Sequence, residues 1–262
     1  MNEPSITSEV RAGAMWITLN RPTALNSITP DVVAGIDLAL DQAGARNDVR
    51  AVVITGTGRA FCAGADLKFV RQQTGSEVEG TSGFLNSILA MMQRLECFPQ
   101  PVIAAVNGLA LAGGLELVLC CDLVIAARSA KLGDAHANYG LLPGGGSSVR
   151  LPRKIGPTRA KYLLYTGEFV PAEELVAAGL VNQIVDDTEL IAATEALVGK
   201  LVTKSPLGLR RMKTLVDDGL VQPIESALRL ELLASEVHAH SYDMKEGLAA
   251  FAEKRAPQFT GR

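Results

Sequence analysis

Three short, unbroken apolar runs constrain this chain more than any other feature. Ala51-Val52-Val53-Ile54-Thr55 is closed by Gly56-Thr57-Gly58, Val102-Ile103-Ala104-Ala105-Val106 by Asn107-Gly108, and Leu123-Val124-Ile125-Ala126 is a third run of the same kind. A run without polar alternation suits a strand covered on both faces, and such strands pair in parallel with helices packed over them. Helical spacing fills the intervals. Val33, Ile36, Leu38 and Leu40 follow Thr29-Pro30, where Thr29 stands at the N-cap and Pro30 at the first helical position. Phe84, Leu85, Ile88, Leu89, Met92 and Leu95 recur in the same way after Gly75–Ser82, which reads as a mobile loop. Ala14–Leu19 reads as a further strand, and Gly113–Leu119 as the opening of a buried helix. The alternation predicts an α/β core with parallel pairing. From about Gly156 the pattern is almost wholly helical, and no repeat or linker divides the chain. In the helix expected over 223–238, Ile224, Leu228 and Leu232 share one face with Leu233 and Val237 beside it.

Composition narrows the function classes. With 262 residues, 48% of them apolar, and a net charge of −3, the chain can build a core and is not basic enough to live by binding phosphate backbones. Aromatic residues make up 5%, which also argues against base stacking, so no nucleic-acid partner is expected. The start lacks a basic region followed by an apolar one, and the apolar stretch Pro101–Ala127 is interrupted by Asn107, Glu116 and Asp122. The expectation is a soluble cytoplasmic protein with no membrane partner. Cys62, Cys97, Cys120 and Cys121 lack CxxC spacing and read as reduced core thiols. His238 and His240 are spaced wrongly for one helix face, and no His/Cys/Asp cluster has metal-site spacing. Neither a metal nor a redox cofactor is predicted.

Two glycine-containing turns, Gly56–Asp66 and Asn107–Glu116, each follow a buried strand. Small residues there allow a ligand to approach the backbone, and amides at a helix start are unpaired and electropositive. Two such amides converging would polarise a carbonyl. Neither turn is a dinucleotide fingerprint, since Phe61 holds the place of the third glycine, and no GxxxxGK[ST] loop is present.

In order and spacing, these segments resemble the crotonase (enoyl-CoA hydratase/isomerase) superfamily over nearly the whole chain. The resemblance is carried by Asn20-Arg21-Pro22-Thr23-Ala24-Leu25-Asn26-Ser27, Ala60-Phe61-Cys62-Ala63-Gly64-Ala65-Asp66-Leu67 and Ala105-Val106-Asn107-Gly108. It continues through Gly113-Gly114-Leu115-Glu116-Leu117, Cys121-Asp122, Gly140-Leu141-Leu142-Pro143-Gly144-Gly145-Gly146 and Ala177-Ala178-Gly179-Leu180-Val181. It implies an α/β, crotonase-like fold of stacked ββα units over residues 1–199. A helical C-terminal region over 200–262 would build a homotrimer or homohexamer. It implies an acyl-CoA thioester as substrate, its carbonyl held by the amides of Ala63 and Gly113. The backbone around Ala24, Ala65, Asp66 and Leu67 would line the pantetheine and adenine end, and Lys254 would reach a CoA phosphate. Thr23 stands where many members carry lysine.

Glu116 lies about one helical turn beyond Gly113. Flanked by Leu115, Leu117 and Val118, its carboxylate is expected to be desolvated and suited to proton transfer. By resemblance Glu116 matches the first of two hydratase glutamates, while His136 occupies the place of the second. Imidazole titrates near neutrality and can serve as acid or base, so Glu116 and His136 are the expected catalytic pair. Asp134 and Tyr139 read as structural. The leading expectation is a lyase that hydrates an enoyl-CoA. Another acyl-CoA reaction of the same site (hydrolysis, decarboxylation or isomerisation) is the alternative, and a non-catalytic acyl-CoA-binding protein the second.

Overall fold

The computed structural model describes residues 3–74 and 78–262. Ile6–Arg11 (β1) and Ala14–Leu19 (β2) form a hairpin. Its two-residue turn, Ala12-Gly13, has φ of 52° and 82°, the paired positive values of a turn that matches strand twist. Pro30–Gly44 (α1) buries Val33, Ile36, Leu40 and Ala43 at helical spacing. One expectation about α1 is corrected, while Thr29 and Pro30 take the expected N-cap and first helical positions. Leu38 points outward, 58% exposed, because it falls off that stripe. Thr29 occupies the N-cap position in extended geometry, but its side chain makes no capping bond.

The chain then repeats one pattern three times. Ala51–Gly56 (β3) is followed by Ala60–Cys62 (β4), Leu67–Thr74 (α2) and Val78–Glu96 (α3). Val102–Val106 (β5) is followed by Leu109–Leu111 (β6) and Gly113–Leu119 (α4), and Leu123–Ala127 (β7) by Lys131–Gly133 (β8) and Ser147–Ile155 (α5). In each turn the first strand enters one sheet and the second enters another. This is a structural repeat that residue identity does not display. Part of the loop expected at Gly75–Ser82 is helix from Val78, and 75–77 lie outside the described residues.

After α5 come Pro157–Thr166 (α6), Val170–Pro171 (β9), Gln183–Val185 (β10) and Leu190–Val202 (α7). Pro206–Gly219 (α8), Ile224–Ala239 (α9) and Tyr242–Glu253 (α10) complete the chain. The larger sheet has the order β1-β2-β3-β5-β7-β10 and is parallel from β2 onward. The smaller runs β4-β6-β8-β9. The region beyond Gly156 is therefore not wholly helical, since β10 adds to β7 and β9 to β8. These strands have three and two residues, too short to show a period.

The predicted runs are buried throughout, from Ala51 to Ile54 and Val102 to Val106, as parallel strands between helical layers must be. Helix α7 packs on β3, β5 and β7 and buries Leu190 and Val198, so the division expected at 199/200 falls inside a helix of the core. By contrast no residue of α8 or α9 is buried. Cys62, Cys120 and Cys121 are core thiols, but Cys97 is exposed. Burial pushes the Cys62 and Cys120 thiols up to about 12. Among the described residues no helix is long and apolar enough to cross a membrane.

Candidate active site

The small sheet positions the site. Its parallel register sets Ala110 beside Leu132 and Leu111 beside Gly133, and the Ala112 amide donates to the Gly133 carbonyl at 3.0 Å. The end of β8 is thereby fastened to the start of α4. Between them Ala112 has φ 48° and ψ −117°, a conformation unfavourable for any residue with a Cβ. The kink makes Gly113 the first residue of α4, where the amide has no intrahelical acceptor; the ladder begins with Glu116 N–H on the Ala112 carbonyl at 3.0 Å. Gly114 lies so close to the preceding loop that a Cβ on it would stand 1.9 Å from the Cys62 carbonyl oxygen. Only glycine lets α4 approach this loop.

The second amide of the expected oxyanion pair is corrected. Ala63 N–H already donates to the Leu25 carbonyl at 3.0 Å. Ile28 bridges the segment through its own amide to the Gly64 carbonyl at 2.8 Å and its carbonyl to the Asp66 amide at 2.9 Å. That pattern leaves the Ala65 amide on the far side, without an acceptor among the described residues. A Cβ built on Gly113 would lie 3.4 Å from the Ala65 nitrogen, and one on Gly64 would lie 3.1 Å from the Gly113 nitrogen. Ala65 and Gly113 thus present the adjacent free amides. Asn26 and Asn107 brace this loop from below. Asn26 Nδ2 donates to the carbonyls of Thr57 and Ala60 at 2.9 and 2.7 Å, and Asn107 Nδ2 to those of Gly58 and Ala60 at 2.9 and 3.1 Å.

Glu116 is 2% exposed. Its Oε1 accepts from the amides of Gly145 and Ser147 at 2.8 and 3.0 Å, which locks the carboxylate and leaves Oε2 free of protein donors among the described residues. Arg150 holds that loop in turn, donating to the Gly145 carbonyl at 2.5 Å while pairing both oxygens of Glu96 at 3.0 and 2.6 Å. Desolvation raises the Glu116 pKa against the two amides and the charge of His136, which lower it; the negative charge of Asp134 adds to the rise.

His136 opens a 3-10 turn, His136–Tyr139, after Ala135, whose φ is 62°. Its Nδ1 lies 2.9 Å from Oδ1 of Asp134, and the two side chains are 12% and 1% exposed. Burial disfavours the imidazolium, but the hydrogen bond and charge of Asp134, with Glu116 adding to them, outweigh it and raise the pKa. Asp134 is therefore a partner of the site residue, contrary to the structural role read from sequence. Tyr139 is 70% exposed and takes no such part.

The remaining expected residues divide into two places. Ala24 closes a 3-10 turn at Pro22–Ala24. Asp66 joins that segment to the Ala63–Ala65 loop by pairing Arg21 at 3.1 Å, accepting from Ser27 Oγ at 3.2 Å, and capping α2 through the amides of Lys68 and Phe69 at 3.1 and 3.3 Å. The Asp66 side chain is thus committed to structure. Lys254 caps α10 with φ 53° and is exposed, and no contact among the described residues joins it to Glu116. Sequence reasoning placed Ala65 in the lining and not beside Gly113, and it missed Gly145 and Ser147; all three act through backbone amides that carry no residue-type signal.

The model of the enoyl-CoA hydratase/isomerase family matches residues 9–262. The chain belongs to that family. This family member is 36% identical over 245 residues to a crotonyl-CoA hydratase of Syntrophomonas wolfei, covering 93% of each chain. It is 37% identical over 258 residues to a 1,2-epoxyphenylacetyl-CoA isomerase of Escherichia coli, covering 98% of each. Its structure superposes on the crystal structure of an enoyl-CoA hydratase from Bacillus anthracis with a TM-score of 0.93 at 37% identity, covering 98% of this chain and all of the other. The three ββα turns and the helical tail are thus the crotonase fold expected from the sequence.

Proposed function

We propose that the protein is an enoyl-CoA hydratase, a lyase that adds water across the double bond of an enoyl-CoA thioester. One observation carries this reading. A buried carboxylate is locked by two amides through one oxygen, with the other free, one helical turn from the adjacent amides of Gly113 and Ala65. The thioester oxygen accepts from those amides, which stabilise the enolate that forms. Glu116 Oε2 takes a proton from water as the oxygen bonds to C3, and the C2=C3 electrons move into the enolate. His136 then delivers a proton to C2, and the two residues reset by exchange with solvent. The raised Glu116 pKa makes it a stronger base than an exposed carboxylate. No metal or redox cofactor enters this scheme.

The test is turnover of crotonyl-CoA, followed by loss of enone absorbance and by mass spectrometry. Addition of one water, reduced about 10²- to 10⁴-fold in Glu116→Gln, is the expected result. Crotonyl-CoA binding without turnover would instead favour a different acyl-CoA reaction. A relative of similar identity is named a 1,2-epoxyphenylacetyl-CoA isomerase, and this makes isomerisation the reading to try next, although His136 stands where double-bond isomerases of the family depend on a glutamate.

Residues 200–262 supply the proposed contact surface of a homotrimer or homohexamer. Ile224, Leu228, Leu232 and Val237 on α9 are 72%, 58%, 61% and 60% exposed, a face costly to leave in water. The cleft of about 430 Å³ between α8 and α9, lined by Leu215, Leu230 and Leu233 among others, belongs to this region and not to the Glu116 site. The buried unpaired thiols Cys62, Cys120 and Cys121 suit a reducing cytoplasm.

A further inference from the structure

Asp134 and His136 form a pair that the hydration scheme alone does not require. Asp134 follows β8 directly and is 1% exposed. Its Oδ1 meets His136 Nδ1 at 2.9 Å, and its Oδ2 is buried with no hydrogen-bond partner among the described residues. The backbone between them is bent to make the contact, with the His136 amide on the Asp134 carbonyl at 2.8 Å and Ala135 at φ 62°. A buried carboxylate without donors needs a counter-charge. His136 is the only cationic partner Asp134 has among the described residues. The other charge acting on the ring is Glu116, from α4. On α6, which packs against the His136 turn, Arg159 pairs with Glu174 and Tyr162 bonds Glu168, while Lys161 and Tyr165 are exposed.

We infer that Asp134 is a positioning residue that holds His136 by Nδ1 and supplies its counter-charge, leaving Nε2 as the nitrogen that exchanges a proton with the substrate. The inference rests on the hydratase reading for what Nε2 does, but not for the pairing itself. An imidazolium so held carries one transferable proton on a fixed nitrogen. When that proton leaves, the Nδ1–H bond to Asp134 still sets the tautomer, so Nε2 is the atom reprotonated. The direction of the His136 shift agrees with this pairing.

The chain has 3 histidines, so ring-nitrogen NMR of the whole protein is readable without fragments. His136→Gln identifies the His136 signal. The expected result is a ring that titrates above the ordinary value and, when neutral, keeps its proton on Nδ1. In Asp134→Asn its midpoint should fall by about one pH unit or more, with His238 and His240 unmoved. On crotonyl-CoA the alkaline limb of kcat/KM should move down by the same amount. An unchanged His136 midpoint in folded Asp134→Asn overturns the inference. So does a shifted midpoint with an unshifted limb in an active enzyme. If no hydration occurs with the wild type, the NMR midpoints still decide the pairing, and only the hydratase reading fails. If Asp134→Asn does not fold, Asp134→Asn in the His136→Gln background decides the matter. The double variant removes an orphaned buried carboxylate and should melt no lower than His136→Gln alone; a lower melting temperature refutes the pairing.

Discussion

Gly145→Ala is the substitution on which the proposed site can be judged most sharply. Gly145 donates its amide to Glu116 Oε1 at 2.8 Å, so its backbone is part of the lock on the carboxylate. A methyl group placed there would lie 2.6 Å from Glu116 Oε2 and 2.5 Å from the Met92 sulfur. Ordinary contact begins at 3.4 Å, so the carboxylate oxygen has to retreat by about 0.8 Å, because Met92 is fully buried and has little room to yield. A displacement approaching 1 Å can cost on the order of 10²-fold in rate, or roughly 2.7 kcal/mol of transition-state stabilisation. Overpacking a core site of this kind costs about 1–3 kcal/mol of stability. The assay is kcat/KM on crotonyl-CoA together with thermal denaturation. The expectation is a loss near two orders of magnitude carried by kcat, with the melting temperature lowered by several degrees. Gly199→Ala is the control. Gly199 is exposed within α7 with nothing within 4 Å of an added Cβ, so alanine should stabilise by about 0.5–1 kcal/mol and leave turnover unchanged. A Gly145→Ala enzyme with kcat within twofold of wild type would refute the placement of Glu116 Oε2 at the reacting centre.

Further expectations follow from charge and from the helical tail. Glu116 and His136 both bind protons more tightly in the folded chain than at their ordinary values of 4.5 and 6.5. Activity that needs ionised Glu116 and protonated His136 should therefore be bell-shaped, with its acid limb above 4.5 and its alkaline limb above 6.5. For stability, a raised folded pKa means the contribution is complete below the unfolded value and lost as pH rises through the folded one. Urea denaturation should show the advantage of wild type over His136→Gln shrinking as pH rises through the folded value of His136; an advantage that grows with pH reverses the assigned shift. Replacing Leu228 and Leu232 together by Glu should dissociate the assembly in sedimentation, since both are exposed in the single chain, at 58% and 61%. A monomeric wild type contradicts the subunit-contact role of α9.

What was legible in the sequence was whatever depends on side-chain type at short range. The both-face burial of Ala51–Ile54 and Val102–Val106, the helix at Gly113, and the placing of Glu116 one turn beyond it all follow from residue type and spacing. The small sheet was not legible, because β4, β6 and β8 have three residues each. The stacking of three ββα turns was expected only through the family resemblance, since it is a repeat of path and not of residues.

The chain by itself determined the fold class, the family pattern and the identity of the buried acid, because apolar periodicity and a charged residue in an apolar setting can be read from residue type and spacing. Tertiary structure alone decided which amides are free. In a regular strand the N–H groups of Ala63 and Ala65 would share a side, but Gly64 at φ 96° separates them, sending one to Leu25 and leaving the other beside Gly113. It also decided that Asp134 serves His136, through a bend at Ala135 that no local preference of alanine predicts. Backbone direction at a strained residue is set by what the surrounding sheets and loops over-determine, not by the residue's own identity.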